Sequence, residues 1–320
     1  MLAYFKCLVS YFKYSLISVV LLAHMLLSAQ SAEAAEGGAS FYVPGLYGDT
    51  AIAVAPPAGI YLLSTTIHYQ SEAANSLLPG QIDNNIEATT IAQLLRGFWV
   101  SDEKFLGATM MMAMRVAAFD IDVSADIQTQ FGALQLDEKN RDYGDLAVIP
   151  LSLFWKLGDI HLNLYEVVSI PISKYTLNSF TNTGLNHWAF DTVLSASWFD
   201  PKTGIEISLA PGLIYNTKNP DTNYKSGTEF HVDVMFNLHL SKELTVGLHG
   251  SYYKQLTADK GAHPSLGSFK GRSYSIGPAI VWHKVVGQQQ YYLSAKWLHE
   301  FEAENKVEGD LTIFTMGMKF

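Results

Sequence analysis

Residues 230–241 read FHVDVMFNLHLS, and their side chains alternate between apolar and polar. One parity holds Phe230, Val232, Val234, Phe236, Leu238 and Leu240, and the other holds His231, Asp233, Met235, Asn237, His239 and Ser241. Successive side chains of a β-strand point to opposite faces, so this stretch would present one apolar face and one polar face, with Met235 as the single exception. The pattern predicts a strand with hydrocarbon on one side and water on the other.

The same period of two recurs in about twelve segments between residue 58 and the end of the chain. We place these segments at 58–70, 86–99, 104–117, 142–155, 159–173, 186–199, 204–216, 228–240, 243–255, 272–284, 289–301 and 309–320. Their lengths, roughly 10–14 residues, exceed the roughly 5–6 residues of a typical soluble strand. Short turns alternate with longer polar loops, predicted at 71–85, 118–141, 174–185, 217–227 and 256–271.

A sheet in hydrocarbon must close on itself, because unpaired backbone groups cost several kcal/mol there. The sequence therefore predicts an all-β fold, a transmembrane antiparallel outer-membrane β-barrel of about 12 strands over residues 58–320. The chain has 320 residues, of which 48% are hydrophobic and 16% charged, with a formal charge of −9. This acidic balance argues against nucleic acid as a partner, since phosphates require basic patches.

Residues 1–34 have the features of a cleavable secretory signal peptide. Lys6 and Lys13 precede a short apolar run at 15–27, and Ala32 and Ala34 form a small-residue cleavage pattern. The alternative is an uncleaved membrane anchor. The single cysteine, Cys7, would be lost on cleavage, which excludes disulfides and thiolate sites from the mature chain, and no cofactor is expected.

The last segment ends in an aromatic residue on its apolar face. Thr312, Phe314, Met316, Met318 and Phe320 share one parity. This ending resembles the C-terminal signature by which bacterial outer-membrane proteins are recognised for assembly, so Phe320 is the expected signal to the barrel assembly machinery. Outer-membrane lipid and lipopolysaccharide are the other expected partners of the barrel. Several loop carboxylates could bridge lipopolysaccharide through divalent cations, or could simply be solvated: Asp137, Glu138, Asp142, Asp145, Asp221 and Asp259.

Two motifs precede the first segment: YVPGLYGD at 42–49 and APPAGIY at 55–61. They resemble the opening of the outer-membrane protein family named for the meta-cleavage pathway of phenol degradation. The resemblance implies a barrel, a link to aromatic catabolism and a role as a transport channel. It implies no catalytic residues.

Residues 35–57 are rich in Gly, Ala and Pro and are not expected to form a strand. One hypothesis is that this lead-in folds into the barrel mouth as a partial plug that gates the channel. The gating residues would be Tyr42, Pro44, Gly45, Tyr47, Gly48 and Asp49. The alternative, a loose periplasmic lead-in, stays open at this point.

The polar faces of the segments define a candidate lumen and solute path. Its predicted members are His161, Asn163, Asp191, Glu206, Asn216, His231, Asp233, Asn237, His239, His249, Tyr253, Lys296 and Glu300. Arg96 and Arg115 should also face the lumen or an interface, because an arginine facing lipid at mid-depth costs about 2–4 kcal/mol. Mixed polarity suits small amphipathic solutes. The alternative is that these groups only satisfy one another inside a closed barrel.

Other chemistries fit the pattern less well. His231 and His239 lie eight residues apart on a strand, about 27 Å at roughly 3.4 Å per residue, so one metal ion cannot bridge them. A barrel lipase or esterase would need its triad on the outer surface, whereas the histidines here face inward and no Gly-x-Ser-x-Gly motif occurs. The favoured function is an outer-membrane channel for passive uptake of small hydrophobic or aromatic compounds. A structural or surface-interaction barrel without transport is the alternative, and an enzyme is disfavoured.

Overall fold

The computed structural model describes residues 40–73, 84–129, 132–177, 179–261, 270–287 and 289–320. The predicted signal peptide, residues 1–34, and the start of the lead-in lie outside the described residues. Among the described residues, no helix has the length and apolar character needed to cross a bilayer.

The described residues form thirteen antiparallel strands. They are β1 (Gly59–Ala73), β2 (Asn84–Phe105), β3 (Ala108–Thr129), β4 (Gly132–Tyr143), β5 (Leu146–Leu157), β6 (Ile160–Ile170), β7 (Ala189–Asp200), β8 (Ile205–Asn216), β9 (Glu229–His239), β10 (Leu244–Gln255), β11 (Arg272–Val286), β12 (Gln289–Glu304) and β13 (Val307–Lys319). Strand β1 pairs with both β2 and β13, which closes the sheet into a barrel. Strands β4 and β5 both pair with β3 and share one position, so the barrel has twelve strand positions, which confirms the predicted fold.

The chain leaves the strand between β4 and β5 at Gly144 and Asp145. The Gly144 amide donates to the Ala117 carbonyl at 2.9 Å, and a Cβ at position 144 would lie 2.4 Å from the Phe119 ring. Asp145 accepts from the backbone amide of Ser173 at 3.1 Å, which ties this break to the loop after β6. Because a side chain at position 144 would collide with the Phe119 ring, this position requires glycine.

The prediction of a loop at 118–141 is wrong. Strand β3 extends to Thr129 and β4 begins at Gly132, so most of the predicted loop belongs to strands. Asp120 and Asp122 point outward and form exposed cross-strand ion pairs with Arg141 and Lys139. On this part of β3 the polar side chains face outward, the reverse of the rest of the barrel. We infer that this hairpin rises above the lipid, where the outer face meets water.

The alternation predicted at 230–241 is confirmed in β9. Phe236 is 50% exposed on the outer surface, whereas His231 is fully buried on the inner side. Met235, the apolar exception, is 1% exposed and packed inside. The outer surface is thus apolar where lipid would cover it, as expected for a membrane barrel.

Candidate functional site

Residues 40–57, which we call the N-terminal segment, lie inside the barrel against inward-facing side chains. At one end the Ser40 hydroxyl donates to Glu229, the first residue of β9. Further along, the Ala53 amide donates to the Ser197 hydroxyl at 3.0 Å, near the opposite end of the strands. The segment therefore runs along most of the height of the barrel before β1 begins.

Two tyrosines attach the N-terminal segment to buried carboxylates on the barrel wall. The Tyr42 hydroxyl donates to Asp233, and the Tyr47 hydroxyl donates to Asp191. The Tyr42 ring also stacks on the His231 imidazole, with centroids 4.4 Å apart. Because an unpaired buried carboxylate is costly, these hydroxyls stabilise the wall as well as the docked segment.

Lys296 forms the most extensive attachment. Its ammonium pairs with Asp49 and donates to the carbonyls of Gly45 and Gly48, each at 2.7 Å. The Asp49 carboxylate also accepts from the Ser294 hydroxyl at 2.8 Å. Gly45 has a φ of +74°, a backbone conformation that glycine adopts without steric cost. The glycine at this position of the YVPGLYGD motif therefore suits the backbone turn seen here.

The other side of the N-terminal segment is apolar. Val43 and Leu46 pack on a cluster from β1, β2, β3 and β13. The cluster consists of Ile67, Ala92, Leu94, Ala117 and Ile313. The barrel interior thus has a polar wall, built mainly by β7 to β10 and β12, and an apolar wall at the closure of the barrel.

A cavity of about 250 Å³ remains between the N-terminal segment and strands β2, β3, β5 and β6. Its apolar lining includes Leu63, Phe98, Met111, Ile149, Phe154 and Val167. Its polar lining includes Arg96, Arg115, Asn163, Tyr165 and Tyr292. The cavity combines apolar walls with a few polar groups, which is the usual composition of a small-molecule site.

Residues 69–316 match the model of the family described as "Putative MetA-pathway of phenol degradation". The chain belongs to this family. No curated protein has a matching sequence. The family match covers nearly the whole barrel, and it confirms the resemblance that the motifs at 42–49 and 55–61 indicate.

Among solved structures, an outer membrane channel from Pseudomonas putida F1 superposes with a TM-score of 0.68 at 13% identity, covering 87% of this chain and 100% of that one. This match shows a shared fold. Two more distant barrels give TM-scores of 0.42: the NanC porin, at 11% identity over 81% of this chain and 98% of that one, and the translocator domain of the Neisseria meningitidis autotransporter NalP, at 8% identity over 83% and 90%. The family member described here has the β-barrel fold of the Pseudomonas putida F1 outer membrane channel.

The structure places all fifteen predicted lumen residues of this family member on the inner side of the wall. Eleven of them are less than 4% exposed: Asn163, Asp191, Glu206, Asn216, His231, Asp233, Asn237, His249, Tyr253, Lys296 and Glu300. The other four, His161, His239, Arg96 and Arg115, are partly buried. Of these fifteen residues, only Asn163, Arg96 and Arg115 line the cavity, so the predicted solute path includes many residues that do not border it.

Most of the remaining predicted lumen residues pair with other parts of the protein. His231 Nε2 lies 3.0 Å from Asp191, and His239 Nε2 lies 2.8 Å from Glu206. Glu300 pairs with Lys306 at 3.1 Å. Among the residues that the structure describes, no group of three or more potential ligands is placed to hold a metal ion.

Sequence reasoning missed several residues of this interior. Tyr165 and Tyr292 line the cavity, and Phe41 lies under the Arg115 guanidinium, 5.7 Å from its ring centroid. Tyr165 and Tyr292 have the inward parity of Asn163 and Lys296, so parity alone could have found them. Phe41 lies outside any strand, and no periodic signal marks it.

The outer loop carboxylates take internal partners. Glu138 accepts from the Phe180 amide at 2.9 Å and from the Thr181 hydroxyl at 2.8 Å, and Asp221 accepts from Asn186 at 2.9 Å. These bonds order the loops. A role in binding lipopolysaccharide stays a prediction.

Proposed function

We propose that this chain is an outer-membrane channel for passive movement of small hydrophobic or aromatic compounds, as predicted from its sequence. The observation that carries the proposal is the cavity beside the N-terminal segment. A lumen filled only by mutually paired polar groups would leave no such space. Its apolar and polar lining favours small amphipathic solutes over inorganic ions.

The N-terminal segment is the proposed gate. In its docked position it lies in the interior, and the cavity beside it along β2, β3, β5 and β6 is the proposed passage. Solutes small enough for that passage would move down their own gradient. Pro44 holds φ near −65° and the flanking glycines supply the turns, so the motif suits a segment with one defined docked shape.

Deletion of residues 40–55 tests both parts of the proposal. We expect the full-length protein to give small conductance steps in planar bilayers and the deletion variant to give larger ones. Assembly is checked by heat-modifiable migration on gels. Equal conductance of the two folded proteins contradicts the gate, and absence of conductance and of solute uptake by both favours a structural or surface-interaction barrel.

We also propose that the barrel is not an enzyme. Support comes from the position of its histidines: His231 and His249 are buried inside, away from the lipid that a barrel lipase would attack. Turnover of phospholipid or ester substrates by the purified protein would overturn this proposal. Phe320 as the assembly signal and the barrel assembly machinery as its reader are likewise proposals.

A further inference from the structure

Arg96 and Arg115 stand directly opposite each other on β2 and β3. Both face the cavity. Like charges directly opposite on neighbouring strands are destabilising, and cations in the membrane interior are costly. We call these two residues the arginine pair.

The arginine pair lacks the compensation that other charged groups of the interior have. Lys296 has Asp49, and Lys306 has Glu300. Among the residues that the structure describes, no carboxylate forms an ion pair with either arginine. The Phe41 ring lies under Arg115, 5.7 Å from its guanidinium carbon, and is a weaker partner than an anion.

We propose that the arginine pair binds the carboxylate of a small organic acid whose apolar body occupies the rest of the cavity. This inference rests on the proposed function and names the solute class of its passage. Guanidinium groups match the planar geometry of a carboxylate and bind it with two parallel hydrogen bonds. Phe98, Met111 and Phe154 line the same cavity and would contact the body of the solute.

The size of the cavity limits the solute. Pockets for drug-sized ligands span about 300–1,000 Å³, so the cavity of about 250 Å³ suits a body no larger than one aromatic ring or a short aliphatic chain. A neutral hydrocarbon would satisfy the apolar walls and leave both guanidinium groups unpaired. The site therefore discriminates in favour of the acid.

Calorimetric titration of the detergent-solubilised full-length protein tests the inference, with sodium benzoate and benzyl alcohol as probes. We expect benzoate to bind at least ten times more tightly than benzyl alcohol. Arg96→Met and Arg115→Met should each lower benzoate affinity about ten-fold and leave benzyl alcohol affinity within about two-fold. The matched control is Arg141→Met, which removes an exposed guanidinium from β4 outside the cavity.

Equal affinities for the two probes, or no binding of benzoate by the native protein, would overturn the inference. So would unchanged benzoate affinity in the double variant with a folded barrel. Arg115→Lys keeps the charge and should retain part of the affinity, which separates charge from folding defects. Because binding is measured without transport, a barrel that binds benzoate but gives no conductance refutes the channel and leaves the site standing.

Discussion

Replacement of Lys296 by methionine should release the N-terminal segment from the wall. The change removes the ion pair with Asp49 and the two hydrogen bonds to the carbonyls of Gly45 and Gly48. Removing one partner of a buried ion pair costs about 3–5 kcal/mol. Because Ser294 and Tyr292 continue to donate to Asp49, we expect the lower figure.

A cost of about 3 kcal/mol raises the undocked population about 150-fold. Hydrogen exchange measures this population directly, because three amides of the segment donate to wall side chains. These are the amides of Tyr47, Ala51 and Ala53, which donate to Asp233, Glu206 and Ser197. Their exchange should accelerate about 150-fold in Lys296→Met.

Lys306→Met is the matched control for Lys296→Met. Lys306 is also a buried lysine, 8% exposed, and it pairs with Glu300 on the wall without contacting the segment. Its removal should leave exchange at Ala51 and Ala53 unchanged. If both variants exchange like the native protein, the contacts of Lys296 do not hold the segment, and the reasoning fails.

Three further changes test separate parts of the account. Phe236→Arg places a cation on the lipid face and should lower the free energy of unfolding by about 2–4 kcal/mol, measured by urea titration in vesicles. Tyr42→Phe leaves Asp233 without its hydroxyl donor and should lower the free energy of unfolding by about 1–3 kcal/mol, measured as a lower Tm. An unchanged Tm would show that water replaces the hydroxyl. Phe320→Ala keeps the backbone bond to Ile60, so we expect unchanged stability but a reduced yield of assembled barrel in cells, and a normal yield would refute the assembly signal.

The inside and outside of the barrel could be predicted from the sequence because lipid and water sort side chains by parity. His231 faces inward and Phe236 faces outward, as their parity requires. A histidine facing lipid or a phenylalanine facing water would each be costly. The same rule failed at 118–141. There the outer face of β3 meets water, so Asp120 and Asp122 lie outside, which reverses the sense of the alternation on this strand.

The pairing of interior groups could not be predicted, because it depends on strand register and on the path of a non-periodic segment. Arg96 and Arg115 were each predicted to face inward, but only the register of β2 against β3 shows that they stand opposite each other. In the same way, the sequence predicts Tyr42 and Tyr47 as gating residues. That they donate to Asp233 and Asp191 follows only from the docked course of residues 40–57.

Thiol labelling at two adjacent positions of β3 tests the central claim, a water-accessible passage behind an apolar outer surface. Met111 lines the cavity, and Met112 is 49% exposed on the outer surface. In the chain without residues 1–34, which carry the single cysteine, reconstituted in liposomes, a charged, water-soluble thiol reagent should modify Met111→Cys and spare Met112→Cys. Modification of Met112→Cys with protection of Met111→Cys would contradict the account.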